Sequence, residues 1–212
     1  EKYVRPGGVN YAEWVENRGD KEALWDYCDE LARTTVNDLS DAEQKAFYIN
    51  LYNALMIREV LRHYPISSVK EIAPNFGVFQ KKLIELEGHS YSLDEIEKGV
   101  LLANWEDPKI HFAVNCASAS CPPLRAEPYR GQIIDTQLHE QTLLFVRSQR
   151  AVREDRKNQN LALNPIFKWY ADDFPGKDIR DYLNRFRERK LHQGWKLRYF
   201  NYDWSLNAVE KL

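Results

Sequence analysis

The chain has 212 residues, 43% of them hydrophobic and 13% aromatic, and 30 basic against 32 acidic side chains leave a net charge of −2. A chain of this length buries roughly 70% of the surface its unfolded form exposes, so it needs neither disulfide nor metal merely to fold, and the composition excludes disorder. The charge balance supplies no general field for nucleic acid or an anionic membrane, and no apolar run approaches the roughly 20 residues of a membrane span.

From the N-terminus, Arg5-Pro6-Gly7-Gly8 reads as a turn, and residues 20–33 carry helical spacing through Leu24, Tyr27, Cys28 and Leu31. Cys28 in that setting reads as a buried, inert thiol. Ser40-Asp41-Ala42-Glu43 is a capping box that launches a helix to about Tyr64, where Pro65 stops it. That helix is apolar almost all round (Phe47, Ile49, Leu51, Leu55, Met56, Val60, Leu61), which places it at the centre of the molecule. Asn50 and Asn53 sit one turn apart within it. An unbonded buried amide costs about 1–3 kcal/mol, so both must bond something, either neighbouring loop backbone or a ligand.

Alternation around Leu83 to Leu86, the turn Glu87-Gly88 and Tyr91 predict a β-hairpin. A second capping box, Ser92 to Glu95, opens a helix through Ile96, Val100 and Leu101. Ile110 to Val114 has the apolar, partly β-branched character of an interior strand continuing to Cys116, and residues 117–131 read as a loop. A helix over about 133–145 follows, then a polar hairpin over 152–163 turning near Lys157-Asn158. Short helices at 166–170 and 178–189 and a closing strand over 197–204 complete the chain. The basic run Arg180 to Arg189, broken by Asp181 and Glu188, reads as a solvated helix face. The expectation is one α+β domain over 1–212, its central helix packed on a small mixed or antiparallel sheet that contains the 110–116 strand.

Chemistry concentrates in His111 to Cys121. On a strand, His111, Ala113 and Asn115 share one face while Cys116 points to the other. The small-residue loop 117–120 folds Cys121 back toward the imidazole. A thiol beside an imidazole is what a cysteine nucleophile needs, so parity favours Cys121 over Cys116. Ser120 and nearby amides are candidate oxyanion donors, and Glu97, Glu43, Asn50 or Asn53 are candidates for the group that orients the ring. Parity also predicts two free thiols, with Cys116 buried. Other readings fit the same residues: a core histidine, a Cys116–Cys121 disulfide in an oxidising compartment, or the start of a zinc site. The last lacks the usual close cysteine clip and a fourth ligand, so neither metal nor cofactor is expected.

Several blocks resemble one family: Ala46-Phe47-Tyr48-Ile49-Asn50-Leu51-Tyr52-Asn53-Ala54-Leu55, Ser92 to Glu97, His111 to Cys116 with Ser120-Cys121-Pro122-Pro123, Ile166 to Tyr170 with Asp173-Phe174, and Tyr202 to Asn207. In this order they are similar to the domain of unknown function 547 family, in its cysteine-containing bacterial-type branch. The resemblance spans about Tyr11 to Asn207, with Tyr48 where a Trp is common. It implies a Glu-His-Cys arrangement of the papain-like kind, mapping onto Glu97 or Glu43, His111 and Cys121; beside it, the residues themselves offer Asn50, Asn53, Asn115 and Ser120 as substrate-binding or site-supporting groups. The activity implied is that of a thiol hydrolase or acyl transferase acting on a peptide or small molecule. Some plant relatives lack the cysteine of the Cys121 block, which keeps a non-catalytic binding domain as the alternative. Bacterial relatives are often exported, and a chain that starts at Glu1 without Met reads as a processed fragment, so an exported or periplasmic location is the expectation.

Overall fold

The computed structural model describes residues 2–209. The Glu43 carboxylate accepts from the Ser40 N–H at 3.0 Å and from the Ser40 hydroxyl at 2.6 Å, anchoring the start of a 23-residue helix, Asp41–His63. Its middle is buried on nearly every face, from Ala46 through Leu61. Each fully buried Leu, Ile or Met contributes about 1.5–3 kcal/mol over exposure, which makes this helix the organising element.

In chain order the elements are strands β1 (Val4–Arg5) and β2 (Gly8–Val9), then helices α1 (Tyr11–Glu16), α2 (Arg18–Ala32) and the central α3 (Asp41–His63). The hairpin β3 (Ile84–Leu86) and β4 (His89–Tyr91) turns at Glu87-Gly88, as the alternation predicts. Residues Glu95–Leu101 form a widened π-helical turn, in which the Leu102 N–H reaches the Glu97 carbonyl, and it runs into α4 (Leu102–Asn104). Beyond lie α5 (Ile134–Val146), β5 (Val152–Asp155), β6 (Asn160–Leu163), α6 (Ile166–Trp169), α7 (Ile179–Asn184) and β7 (Lys196–Tyr199). β5 pairs antiparallel and β7 parallel to β6, giving one small mixed sheet. The molecule is a single α+β domain.

The predicted 110–116 strand is absent. Asp107 accepts from the Lys109 N–H at 3.0 Å and Pro108 occupies the first helical position, so Pro108–Phe112 winds as a 3-10 helix. Cap chemistry and the fixed φ of proline override the apolar alternation. With three residues per turn, Ile110 and Phe112 diverge rather than sharing a face. Ile110 enters the apolar cluster around α3, whereas Phe112 enters a second cluster with Phe145, Leu161, Leu163 and Phe167. The sheet therefore belongs to that second cluster and not to a strand beneath α3. The two clusters share the 108–112 turn and α5, whose Ile134 and Leu138 face the first and whose Phe145 and Val146 face the second. His111 lies at this seam. Among the described residues no helix is long and apolar enough to cross a membrane.

Candidate functional site

The segment that follows the 3-10 helix is irregular, so its backbone must be held by side chains. Asn53 supplies the first tie: its amide donates to the Ala113 carbonyl at 3.0 Å, and its oxygen accepts from the Asn115 N–H at 2.8 Å. Asn50, one turn earlier, clasps Tyr129 in the same two-handed way, with both bonds at 2.8 Å. Asn115 continues the scaffold. Its amide donates to the Pro122 carbonyl at 2.7 Å and its oxygen accepts from the Ala117 N–H at 2.9 Å, closing the 115–122 loop on itself.

That closure forces Ala117 into the left-handed region at φ 58°, a conformation that costs a residue with a Cβ about 1–2 kcal/mol. The C-terminal segment fastens the loop from outside through Asn207 N–H to Ala117 O at 2.9 Å and Ala119 N–H to Ser205 O at 2.8 Å. Ser120 belongs to this fastening: its hydroxyl accepts from the Asp203 N–H at 2.9 Å and its own N–H donates to the Asp203 carbonyl. The hydroxyl is engaged there only as an acceptor, and the Ser120 carbonyl accepts from Asn164 at 2.9 Å.

All three cysteines are free. Cys28 is buried, which pushes its thiol up to about 11. Loss of the strand reverses the order that parity implies for the other two. Cys121 is the buried one, 3% exposed, its sulfur accepting the Cys116 N–H at 3.1 Å, and burial holds its thiol well above the ordinary range. Cys116 is partly exposed. The Cys121 thiol beside it, then the hydroxyls of Ser118 at 3.0 Å and Tyr202 at 3.3 Å, hydrogen bond to its charged form and bring its pKa below the ordinary thiol range. Tyr202 itself stays protonated, because burial and the neighbouring Cys116 both raise its pKa.

His111 is buried, and its Nε2 lies 2.7 Å from the Asp173 carboxylate. Burial lowers the pKa of the imidazole, with the bond to Asp173 opposing the shift, so the ring is neutral at pH 7 and donates from Nε2. Nδ1 is then left as an acceptor, and it has no hydrogen-bond partner among the described residues. The Tyr170 ring packs on the imidazole at 4.1 Å between centroids and donates its hydroxyl to Glu97 at 2.7 Å. His111, Cys116, Cys121 and Glu97 all line one cavity of about 310 Å³, and on its other side His111 borders a second, acidic cavity with Asp172 and Asp173.

Of the sequence candidates, then, His111, both thiols and Glu97 meet at one cavity, while Asn53, Asn115 and Ser120 shape the loop around it. Glu43 is exposed at the start of α3 and Asn50 bonds Tyr129, and neither lines the cavity. No thiol–imidazole hydrogen bond exists among the described residues, nor any cluster of three or more His, Cys, Asp or Glu able to hold a metal. Asp173, Tyr170, Tyr202 and Ser118 carried no assigned role in the sequence. The first three stand in the aromatic blocks around 166–174 and 202–204, where a repeated aromatic-acidic pairing was the available signal. Ser118 had none.

A family model, described as Protein of unknown function, DUF547, matches residues 36–146, just over half of the chain. The match includes Glu97, His111 and both thiols, and ends before Tyr170, Asp173 and Tyr202. No curated protein and no solved structure matches.

Proposed function

The chain belongs to the DUF547 family, and from that premise we propose a thiol-dependent hydrolase or acyl transferase of papain-like chemistry, with Cys116 as nucleophile, His111 as general base and acid, and Asp173 as the group that orients the ring. One observation carries the reading: a partly exposed thiol with a depressed pKa shares a cavity with a neutral imidazole whose far nitrogen is held by a carboxylate. In the proposed cycle the Cys116 proton passes to His111 Nδ1, and the thiolate sulfur bonds the carbonyl carbon of an amide or ester. Collapse expels the amine or alcohol, which takes the proton from His111. Water, deprotonated by His111, or an acceptor amine then cleaves the thioester and frees the sulfur. Closing the gap between sulfur and Nδ1 is left to substrate binding, since such bonds commonly tighten only when the cavity is filled.

The lack of a thiol–imidazole bond among the described residues favours the second reading, a binding domain that uses the same pocket without turnover. Alkylation rates against pH on Cys28→Ala protein, read at Cys116 by peptide mass spectrometry with the Cys121 thiol left in place, separate the two. The enzyme reading requires Cys116 to react with iodoacetamide below the ordinary thiol pKa of about 8.5 and the profile to change in His111→Ala. An ordinary profile, indifferent to His111, leaves the binding domain. A screen of amide, ester and γ-glutamyl substrates, with Cys116→Ser as the blank, then defines the reaction.

A further inference from the structure

With His111 Nε2 already held by Asp173, Glu97 has no orienting duty to perform. It is nevertheless buried, 8% exposed, on the wall of the thiol cavity. Its Oε1 accepts from Tyr170, and no lysine or arginine pairs with it among the described residues. Asp94, on the same wall, is different: it is neutralised by Lys98 at 2.9 Å. A buried carboxylate without a counter-charge is costly to keep, and its retention calls for a cation that arrives from outside.

The rest of the cavity suits such a visitor. Tyr52 and Tyr170 flank Glu97 electrostatically, each having its hydroxyl pKa raised by burial and by that carboxylate. The mouth is a continuous ring surface: Trp169, 51% exposed, stacks on Trp204 at 6.1 Å, and Trp204 meets Tyr202 at 4.5 Å and Phe76 at 4.6 Å. The Lys70 ammonium already stands over Phe76 and Trp204, at 5.0 and 5.5 Å from the ring centroids, so what this surface offers a visitor is apolar contact for a stem. Phe76 is held there in the left-handed region at φ 60°, and Asn75 before it at φ 52°, a strain that a bulky side chain keeps only where its position matters.

We propose that the cavity selects substrates bearing a protonated amine on an apolar stem, the ammonium group seating on Glu97 between the tyrosines and the stem on the Trp169–Trp204 platform. Resting on the thiol-site reading, this names its substrate class as amides or esters of amino-bearing acyl groups. Nucleophile and selector then line one cavity of about 310 Å³, so the reacting carbonyl and the ammonium group must both fit within that volume.

The test uses the whole chain with benzylamine and its neutral counterpart benzyl alcohol, each titrated by calorimetry against wild type, Glu97→Gln and Asp94→Asn. Glu97→Gln keeps an acceptor for Tyr170 and removes only the charge, and its thermal midpoint checks that it folds. Benzylamine is expected to bind wild type about 10-fold more tightly than benzyl alcohol, as a charge-assisted bond plus ring contacts implies, with the preference gone in Glu97→Gln and kept in Asp94→Asn. Equal binding of both compounds to wild type, or a preference that survives Glu97→Gln, overturns the proposal. Should Glu97→Gln not fold, competition at pH 7 settles the matter: benzylamine must slow Cys116 alkylation where benzyl alcohol does not. A fast-reacting Cys116 with no ammonium preference defeats this inference alone. An ammonium preference beside an ordinary, His111-independent thiol defeats the hydrolase reading instead.

Discussion

Replacing Asn53 by leucine isolates what holds the thiol loop. The side chain is 7% exposed and makes two bonds to loop backbone, to Ala113 O and from Asn115 N. Leucine is close in volume and helix-compatible, so the helix survives, but a carbonyl and an N–H lose their partners in a buried setting. Each unsatisfied group costs about 1–3 kcal/mol, and the apolar side chain returns about 1–2 kcal/mol of burial. The net loss is roughly 3 kcal/mol, or about 6–12 °C in thermal midpoint for a chain of this size. Asn50→Leu is the matched control, since it breaks an equivalent pair of bonds, to Tyr129, at a place that does not line the cavity. Both variants should lose comparable stability by denaturant titration, yet only Asn53→Leu should slow Cys116 alkylation at 20 °C, where both remain folded. The reasoning fails if Asn53→Leu costs under about 1 kcal/mol, or if the two variants change thiol reactivity equally.

Removing the hydroxyls that favour the Cys116 thiolate, by Tyr202→Phe or Ser118→Ala, should move the alkylation profile to higher pH, and an unmoved profile would deny them that role. His111 contributes a pH dependence to stability with a definite sign. Burial lowers its folded pKa, so the unfolded chain binds the proton first, and stability falls as pH drops below the unfolded value of about 6.5, with no contribution above it. Denaturant titrations at pH 7.5 and 5.5 should therefore show a smaller acid loss in His111→Gln than in wild type. Phe112→Ala should cost about 3–5 kcal/mol by the same titration, because that fully buried ring meets Phe145, Phe167 and Phe174, and a loss near 1 kcal/mol would mean that the second cluster does not depend on it.

What the sequence determined by itself was everything governed by local pattern over a turn or more. The Ser40–Glu43 cap and all-round apolar character specify a buried α3, because no other conformation hides so many apolar side chains while satisfying its backbone. Glu87-Gly88 between alternating residues specifies the β3–β4 hairpin, and the amides inside α3 announce that they must bond something. Both thiols line the cavity, and which of them is exposed and favoured as thiolate was decided only by the tertiary structure. The 110–116 segment is too short for periodicity to separate a strand from a 3-10 turn, and the Asp107-Pro108 cap tips it toward the turn, which erases the side-chain parity from which Cys121 was favoured. The partners of the two critical groups are remote in sequence. Asp173 lies 62 residues from His111 and Tyr202 lies 86 from Cys116, and contacts at such separations are set by how α5, the sheet and the C-terminal segment pack around Phe112. No local rule carries that information, so the segment from His111 to Cys121 could be singled out from the chain, but which of its thiols is exposed, and what the thiols and the imidazole bond to, required the fold.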